Sequence, residues 1–357
     1  SRPLHIITVV GARPQFIKAA VVSRAIAEHN QLGRGRIIRE DIVHTGQHYD
    51  KNMSQMFFEE MEIPAPAVNL GIGSGSHAET TGFMLIGLER EILGRRPDMV
   101  LIYGDTNSTL AAALAAVKLA VPIAHVEAGL RSFNLRMAEE VNRLIADRCS
   151  SLLFCPSPQS AAQLAREGIT AGVHVVGDVM YDAALYYRRR AILPPEEGDF
   201  AVATIHRAEN TDDSGRLRQI FAGLAGSPVP VLLPLHPRTR NRIQAEGIAV
   251  PPRIKICEPA SYLQMLGLLA RCAFVVTDSG GLQKEAYFFR KRCLTMRDET
   301  EWSELVAAGV NRLVGADTDR IVAAFAWAME PFPSEVGQLY GAGDAGARIV
   351  EILAAFC

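Results

Sequence analysis

The segment His5-Ile6-Ile7-Thr8-Val9-Val10-Gly11-Ala12-Arg13-Pro14-Gln15-Phe16-Ile17-Lys18 decides the fold class. It opens with a mainly apolar, β-branched run of the kind that forms a buried strand, and apolar positions from Gln15 to His29 recur at helical spacing. Gly11 separates the two patterns. Because a strand, a tight turn and a helix together return the chain to a parallel neighbour, this unit predicts an α/β protein built on parallel strands.

The same alternation of short strands and longer helical stretches continues along the chain. One of the helical stretches is Asn52–Met61. Such regular alternation is typical of doubly wound α/β domains. The predicted strands are His5–Val10, Arg36–His44, Met99–Tyr103, Pro122–Glu127, Leu152–Cys155, His174–Val176, Phe200–Ile205, Val229–Leu235, Ile254–Ile256, Ala273–Thr277 and Cys293–Met296.

The length of 357 residues predicts two domains. The polar, proline-containing segment Leu193-Pro194-Pro195-Glu196-Glu197-Gly198 has the composition of a linker. We therefore expect a Rossmann-like domain over 1–185, a second Rossmann-like domain over 186–340, and an apolar segment, 341–357, that packs back onto a domain. Two such domains would face each other across a cleft at the carboxyl edges of their strands.

Composition excludes several classes of protein. Hydrophobic residues make up 48% of the chain and the formal net charge is −2, with no basic block to bind nucleic acid. Apolar stretches such as Leu110–Ala116 are too short to span a bilayer, and Ser1–Leu4 runs into the first strand without a charged and apolar leader. The six cysteines form no CxxC pair, which favours reduced thiols over disulfides or a zinc site. We expect a cytoplasmic protein that binds neither nucleic acid nor a membrane.

Carboxylates follow two predicted strands of the first half. Asp105 comes after the third strand and is either a base or the cap of the next helix. Glu127 directly follows the fourth strand and precedes a glycine turn. Glu139 opens a helix twelve residues later, close to Arg143, where an acid also satisfies the helix dipole. Glu127 and Glu139 on neighbouring elements are candidates for paired acid and base groups.

Basic residues follow the first strand, where Gly11 opens the helix. Backbone N–H groups at such a turn, together with Arg13 and Lys18, suit a phosphate. The equally weighted alternative is an ordinary strand–helix turn with solvated basic residues, since the full glycine signatures of dinucleotide and Walker sites are missing.

The second half presents groups for a nucleotide. The turn Ser279-Gly280-Gly281 exposes unhindered N–H groups that suit a diphosphate, although paired glycines can also serve helix–sheet packing. Glu285 lies where it can reach ribose hydroxyls, and Arg297 follows the next strand. His206-Arg207 and His236 end two further strands, and a lone histidine there is often only structural. Carboxylates in one half and phosphate groups in the other predict a nucleotide-linked substrate.

These residues resemble the non-hydrolysing UDP-N-acetylglucosamine 2-epimerase family over nearly the whole chain. The resemblance implies a glycosyltransferase-B-like fold of two Rossmann-type domains, with acid/base carboxylates in the first and a UDP site in the second. It implies a homodimer and neither a metal nor a nicotinamide cofactor. The blocks that carry it are Gly11–Lys18, Gly104–Thr109, His125–Ser132, Glu139–Arg143, His206–Asn210, His236–Arg238, Asp278–Glu285 and Arg297–Glu301.

The family chemistry implies a role for each candidate residue. It eliminates UDP in an anti fashion, forms a glycal, and adds UDP back with a proton on the opposite face of C2. The resemblance implies that the acid/base groups are Asp105, Glu127 and Glu139, with His206 beside the reacting centre. It implies a ribose ligand in Glu285 and a role for Lys18 in orienting the region of Asp105. The remaining substrate and UDP ligands are expected to be Arg13, Arg143, Arg207, His236, Ser279, Gly280, Gly281 and Arg297.

Three stretches resemble one subgroup in particular: Gly11–Lys18, Gly177–Asp182 and Arg297–Trp302. This subgroup epimerises UDP-2,3-diacetamido-2,3-dideoxy-D-glucuronate to the mannuronate for surface polysaccharides such as the O-antigen of lipopolysaccharide. Trp302 and Ser303 replace the Arg-Pro that is usual in the family, and Gln15 replaces an acid. Loss of that acid would reduce repulsion of a uronate carboxylate.

Four alternatives remain open. The nearest is an epimerase that converts UDP-N-acetylglucosamine to UDP-N-acetylmannosamine. A hydrolysing 2-epimerase shares the elimination step, and a retaining glycosyltransferase shares the fold but needs no acid/base pair around C2. A non-catalytic nucleotide-sugar sensor would lose the carboxylates, which this chain keeps.

Overall fold

The computed structural model describes residues 2–33, 35–46, 57–59 and 61–356. The chain forms two compact units, Ser1–Ala183 with Tyr340–Cys357, and Ala184–Leu339. Most of the helix predicted at Asn52–Met61 lies outside the described residues, although residues 57–59 are helical. No helix in the described part of the chain is both long enough and apolar enough to cross a membrane.

The first unit is built on a parallel sheet that has, within the described residues, seven strands in the order β3-β2-β1-β4-β5-β6-β7. The strands are β1 (Leu4–Val10), β2 (Ile38–His44), β3 (Val68–Asn69), β4 (Met99–Tyr103), β5 (Ile123–Val126), β6 (Leu152–Cys155) and β7 (Val173–Val175). The helices that follow them are α1 (Arg13–Gln31), α2 (His77–Arg95), α3 (Asn107–Lys118), α4 (Ala138–Cys149), α5 (Pro158–Arg166) and α6 (Val179–Tyr187).

The second unit repeats this plan with the parallel order β10-β9-β8-β11-β12-β13 among its described residues. A 3₁₀ turn at Arg188–Arg190 lies near its start. Its strands are β8 (Ala201–Thr204), β9 (Val231–Pro234), β10 (Ile254–Cys257), β11 (Val275–Thr277), β12 (Cys293–Thr295) and β13 (Asn311–Leu313). Its helices are α7 (Ala208–Thr211), α8 (Ser214–Ala225), α9 (Pro237–Ala245), α10 (Tyr262–Arg271), α11 (Gly280–Phe288), α12 (Ser303–Ala307) and α13 (Thr318–Ala328).

Each sheet is buried on both faces, which explains why its strands read as continuous apolar runs. In the second unit Ala201 and Ala203 point into one core, whereas Phe200 and Val202 point into the core on the opposite face. This alternation follows from the two-residue period of a strand. The α/β fold class predicted from the sequence is confirmed.

The C-terminal helix α14 (Ala345–Ala355) packs against α1 of the first unit. A Cβ on Gly346 would lie 2.8 Å from the side chain of Val21, so the two helices approach closely at this glycine. The backbone N–H groups of Ala345 and Gly346 donate to the carboxylate of Asp182, at 3.2 and 2.8 Å. These bonds satisfy two free N–H groups at the start of α14.

Gln15 forms hydrogen bonds at the ends of β1 and β4. The strand order of the first sheet reverses between these two strands. Gln15 is 2% exposed. Its Oε1 accepts from Gly11 N (2.8 Å), and its Nε2 donates to Tyr103 O (2.8 Å), Thr106 Oγ1 (2.9 Å) and Thr109 Oγ1 (3.0 Å). The structure therefore gives Gln15 a structural role, in which the amide group makes bonds that an acid cannot make.

We expect Gln15→Glu to destabilise the first unit by about 2–4 kcal/mol, because a carboxylate has no N–H to donate to the buried carbonyl of Tyr103 and its negative charge would face that oxygen. Urea unfolding followed by circular dichroism measures this. The control is Gln31→Glu, exposed at the other end of the same helix, for which the expected change is below about 0.5 kcal/mol. Equal effects of the two substitutions would contradict the role of the amide.

Candidate active site

Charged side chains of the first unit converge at the carboxyl edge of its sheet. Lys18 in α1 donates from Nζ to Glu127 Oε1 at 2.9 Å. Glu127 is 8% exposed and has a left-handed backbone with φ of +73°, which is uncommon for a residue with a side chain. Gly104 also has a positive φ, +64°, and a Cβ there would lie 3.4 Å from Lys18 Nζ. Lys18, predicted to orient the region of Asp105, thus bonds directly to Glu127.

Asp105 follows β4 but does not cap α3. The N-cap of α3 is Thr106, whose side chain accepts from Thr109 N. Asp105 is instead held through its backbone carbonyl, which accepts from Asn142 Nδ2 at 2.8 Å, and its carboxylate lies 3.6 Å from Arg143 NH1. The capping alternative is therefore wrong, and the carboxylate of Asp105 is available for chemistry.

The pKa of Asp105 is raised above its usual value, first because the carboxyl group is desolvated. The positive charge of Arg143 and that of Lys18 lower the pKa of Asp105, and the negative charges of Glu127 and Glu139 raise it. Four charged groups thus act on one carboxyl group at the end of β4. A carboxyl group with a raised pKa next to other carboxylates is a good candidate for proton transfer.

The adjacent acids Glu139 and Glu140, in the first turn of α4, have different surroundings. Glu140 is 1% exposed and accepts from Ser132 N (2.9 Å) and Phe133 N (3.0 Å). Arg143 NH2 lies 3.2 Å from the same carboxylate. Glu139 is partly exposed. Glu140 therefore serves the structure of the loop before α4, and Glu139 remains the candidate for chemistry.

A buried network beneath this edge was not predicted from the sequence. The ring nitrogens of His125 each lie 2.7 Å from an acceptor, Asp147 Oδ1 and the backbone oxygen of Gly104. Arg131 NH1 donates to Asp147 Oδ2 at 2.7 Å. Burial would raise the pKa of Asp147, but the bonds and charges of His125 and Arg131 lower it overall. The network fixes Gly104 and so positions Asp105.

The glycine turn after β1 differs from its predicted role. The N–H groups of Gly11 and Ala12 donate to Gln15 Oε1, at 2.8 and 3.1 Å, so a bond within the protein takes the donors expected to face a phosphate. A Cβ on Gly11 would lie 2.1 Å from Ser108 Oγ, which makes glycine necessary there. Arg13 is exposed at the first position of α1, and its guanidinium lies 5.6 Å from the ring centre of Phe57.

In the second unit, Asp278 and His206 form a pair at the point where β8 and β11 end. Asp278 is 0% exposed and accepts from His206 N (3.1 Å), Arg207 N (3.1 Å) and Asn210 Nδ2 (3.0 Å). Its Oδ1 also lies 3.0 Å from His206 Nδ1, while the side chain of His206 is 54% exposed. Asp278 thus fixes the ring orientation of His206. The sequence signal was available, because both residues follow strands that pair in register.

The Ser279-Gly280-Gly281 turn begins α11, as predicted. Ser279 is the N-cap, and its Oγ accepts from Leu282 N at 3.3 Å. A Cβ on Gly280 would lie 2.3 Å from Glu301 Oε1, so the turn packs directly on Glu301. Glu301 Oε2 is 2.9 Å from Arg297 NH1, and Arg297 is 1% exposed. The charge of Arg297 therefore lies beneath the turn, within an ion pair.

The remaining predicted residues of the second unit lie near the same strand ends. Glu285 is in α11 and 8% exposed. The NH2 group of Arg207 would be 3.6 Å from a Cβ on Gly280, which places Arg207 beside the turn. His236 is the exposed N-cap of α9, and its Nδ1 accepts from Arg238 N at 3.2 Å. No group of three or more His, Cys, Asp and Glu side chains arranged for a metal ion occurs in the part of the chain that the structure describes.

Comparison with known proteins identifies relatives over nearly the full length. The family model described as UDP-N-acetylglucosamine 2-epimerase matches residues 30–354. The chain is 51% identical to the UDP-2,3-diacetamido-2,3-dideoxy-D-glucuronate 2-epimerase of Pseudomonas aeruginosa, covering 98% of this chain and 99% of that protein.

Solved structures agree with this similarity. The Methanocaldococcus jannaschii UDP-GlcNAc 2-epimerase in complex with UDP-GlcNAc and UDP has a TM-score of 0.88 at 38% identity, covering 98% of this chain and 99% of that one. The Neisseria meningitidis UDP-GlcNAc 2-epimerase bound to UDP-GlcNAc has a TM-score of 0.86 at 30% identity, covering 98% and 99%. The resemblance in the sequence and the glycosyltransferase-B-like fold that it implies are confirmed.

The Asp278–His206 pair predicts an acid-sensitive second unit. Burial alone would raise the pKa of Asp278, but the bond and charge of His206 and the bonds from Asn210 and Arg207 N lower it. A lowered pKa in the folded state stabilises the protein above the unfolded pKa of about 3.9, and this contribution is lost as the pH falls below that value.

We therefore expect Asp278→Asn to cost about 3–5 kcal/mol of unfolding free energy at pH 7, and less as the pH is lowered from about 4 to 3. Urea unfolding across this pH range measures the difference. The control is Asp319→Asn, exposed in the first turn of α13, with an expected change below about 0.5 kcal/mol. A difference that does not shrink with falling pH would show that the charge of Asp278 is not what stabilises the unit.

Proposed function

The chain belongs to the UDP-N-acetylglucosamine 2-epimerase family, and from this premise we propose that it inverts C2 of UDP-2,3-diacetamido-2,3-dideoxy-D-glucuronate to give the mannuronate. The enzymes of this family are isomerases. The choice of substrate is supported by the 51% identity to the Pseudomonas aeruginosa enzyme that is named for this sugar.

The observation that carries the proposal is the group of carboxylates in the first unit. The charges of Glu127 and Glu139 both act on Asp105, and the raised pKa of Asp105 suits proton transfer. A retaining glycosyltransferase does not need acid and base groups around C2. The carboxylates therefore favour an epimerase over a transferase of the same fold.

The reaction needs these groups because the proton on C2 is not next to a carbonyl and is hard to remove directly. We propose that one carboxylate removes this proton while the C1–O bond to UDP breaks on the opposite side, which leaves a glycal and UDP. UDP then adds back to C1, and a second group delivers a proton to the other face of C2. Asp105, Glu127 and Glu139 are the proposed acid and base groups, with Lys18 holding the carboxylate of Glu127 in place.

The second unit supplies the groups for UDP in this proposal. Negative charge develops on the departing diphosphate, so N–H donors and cations aimed at it lower the barrier. We assign this task to Ser279, Gly280 and Gly281 at the start of α11, together with His206 and Arg207, which the strand ends hold beside the turn.

The remaining assignments are supporting roles. Glu285 is the proposed ligand of the ribose, and His236 an additional substrate ligand. Arg297, paired with Glu301 under the turn, adds positive charge near the diphosphate. In the first unit, Arg13 is the proposed diphosphate ligand, and Arg143 maintains the charge balance around Asp105.

The wider role that we propose is the supply of a manno-configured UDP-sugar for surface polysaccharide, such as the O-antigen of lipopolysaccharide. UDP-sugars are made in the cytoplasm, and we propose that this enzyme acts there. We also propose that it is a homodimer, as is usual in the family.

The first test is incubation with UDP-2,3-diacetamido-2,3-dideoxy-D-glucuronate in D₂O, followed by NMR. We expect a manno-configured UDP-sugar with deuterium at C2, because the proton returned to C2 comes from solvent. Asp105→Asn, Glu127→Gln and Glu139→Gln should each lower kcat by about 10²–10⁴-fold, the usual contribution of a general acid or base. The control is Glu28→Gln, exposed in α1, which should leave kcat unchanged.

Two results would contradict the proposal. Turnover of UDP-N-acetylglucosamine alone would show the activity of the better-known family members in place of the uronate activity. Turnover of neither sugar, with transfer to an acceptor, would favour the glycosyltransferase.

The dimer proposal is supported by an apolar face of α2. Phe83, Ile86 and Leu93 are 61%, 49% and 57% exposed, and their spacing places them on one side of the helix. We expect a dimer in sedimentation velocity and a monomer after the double substitution Phe83→Glu and Ile86→Glu. Leu32→Glu, exposed beyond the end of α1, is the control and should remain dimeric. A double variant that stays dimeric would exclude this face.

A further inference from the structure

The segment 132–137, which we call the rim loop, leads directly into α4 and ends two residues before Glu139. Its backbone is bonded to α4 at the start and to another loop residue near the end. At the start, the N–H groups of Ser132 and Phe133 donate to the buried carboxylate of Glu140, at 2.9 and 3.0 Å. At the end, Arg136 N donates to Asn134 Oδ1 at 3.1 Å. The loop therefore has a defined position relative to the proposed acid/base residue.

The backbone of Phe133, in the rim loop, has an unfavourable conformation. Its backbone lies in the left-handed region, with φ of +59°, which is unfavourable for a bulky residue. Its side chain is 76% exposed, so no burial of the ring compensates for the conformation. The bond from its N–H to Glu140 Oε1 is what retains it. Strained backbone of this kind is concentrated at functional sites.

In the described part of the first unit, the basic side chains that contact the proposed acid/base residues or the buried acids beside them are held in ion pairs. Lys18 bonds to Glu127, Arg131 bonds to Asp147 and Glu167, and Arg143 lies against Glu140 and Asp105. Arg136 is exposed, and within the described residues its guanidinium has neither an ion pair nor a hydrogen bond. A guanidinium on a fixed loop, three residues before Glu139, is thus available for a ligand.

The proposed substrate carries a carboxylate at C6 that UDP-N-acetylglucosamine lacks. Near Asp105, Glu127 and Glu139 this extra negative charge is repelled unless a cation offsets it. Arginine is well suited, since its planar guanidinium binds a carboxylate through two parallel N–H donors. We propose that Arg136 binds the C6 carboxylate and so determines the preference for a uronate; this inference rests on the proposed function.

The test compares two substrates that differ only at C6: UDP-2,3-diacetamido-2,3-dideoxy-D-glucuronate and the matching UDP-glucose derivative with a neutral CH₂OH group. Loss of a charge-assisted pair should reduce kcat/KM for the uronate by about 10- to 100-fold in Arg136→Gln. The neutral sugar should change by less than about 3-fold. Calorimetric Kd values for both sugars give the same comparison independently of turnover, and Arg136→Lys should recover part of the uronate binding.

The control is Arg96→Gln, exposed after α2 at the opposite edge of the same sheet, which should leave both sugars unaffected. Equal losses for the two sugars in Arg136→Gln, or no loss for either, would overturn the role of Arg136 while the wild-type uronate activity stands. A wild-type enzyme that neither binds nor converts the uronate would overturn the proposed function and this inference with it.

Discussion

The candidate residues of each unit depend on one constraint of parallel sheets, the reversal of strand order, which occurs between β1 and β4 in the first unit and between β8 and β11 in the second. Crossovers on opposite faces lead away from the two central strands, so a crevice remains beyond their carboxyl ends. Asp105 follows β4 in the first sheet, and His206 and Asp278 follow β8 and β11 in the second. Polar residues placed elsewhere along these strands would lie inside an apolar core. The topology therefore determines where charge can be placed.

In both units a buried carboxylate bonds to groups near a residue that is exposed or partly exposed. Asp278 is fully buried and orients His206, whose side chain is half exposed. Glu140 is buried and fixes the rim loop, while the adjacent Glu139 is partly exposed. The buried members belong to bonded networks, which are costly to disrupt. The buried carboxylate thus serves stability, while the more exposed residue beside it keeps the side chain that we propose for chemistry.

Sequence patterns predicted the interior strands well, because strands buried on both faces are continuous apolar runs: Met99–Tyr103 and Leu152–Cys155 agree with the structure residue for residue. The edge strands Val68–Asn69 and Asn311–Leu313 were missed, since two or three residues carry no periodicity. The sequence pattern also could not show whether Asp105 caps the next helix or keeps its carboxylate for another role. That distinction depends on Thr106 and Asn142, and Asn142 is brought there only by the fold.

Two residues that differ from the usual family pattern, Trp302 and Gln15, are also buried and serve the structure. Trp302 is 2% exposed, and Lys284 Nζ lies 4.0 Å from the centre of its ring, a cation–π contact between α11 and the segment that carries Arg297. Gln15 is likewise buried and bonded within the protein. Trp302 and Gln15 therefore stabilise the strand ends from inside the protein. Substitutions at such buried positions can occur together without changing the side chains that contact the substrate. In the proposed function, selection of the sugar then falls to exposed side chains, and in the first unit the proposed one is Arg136 of the rim loop.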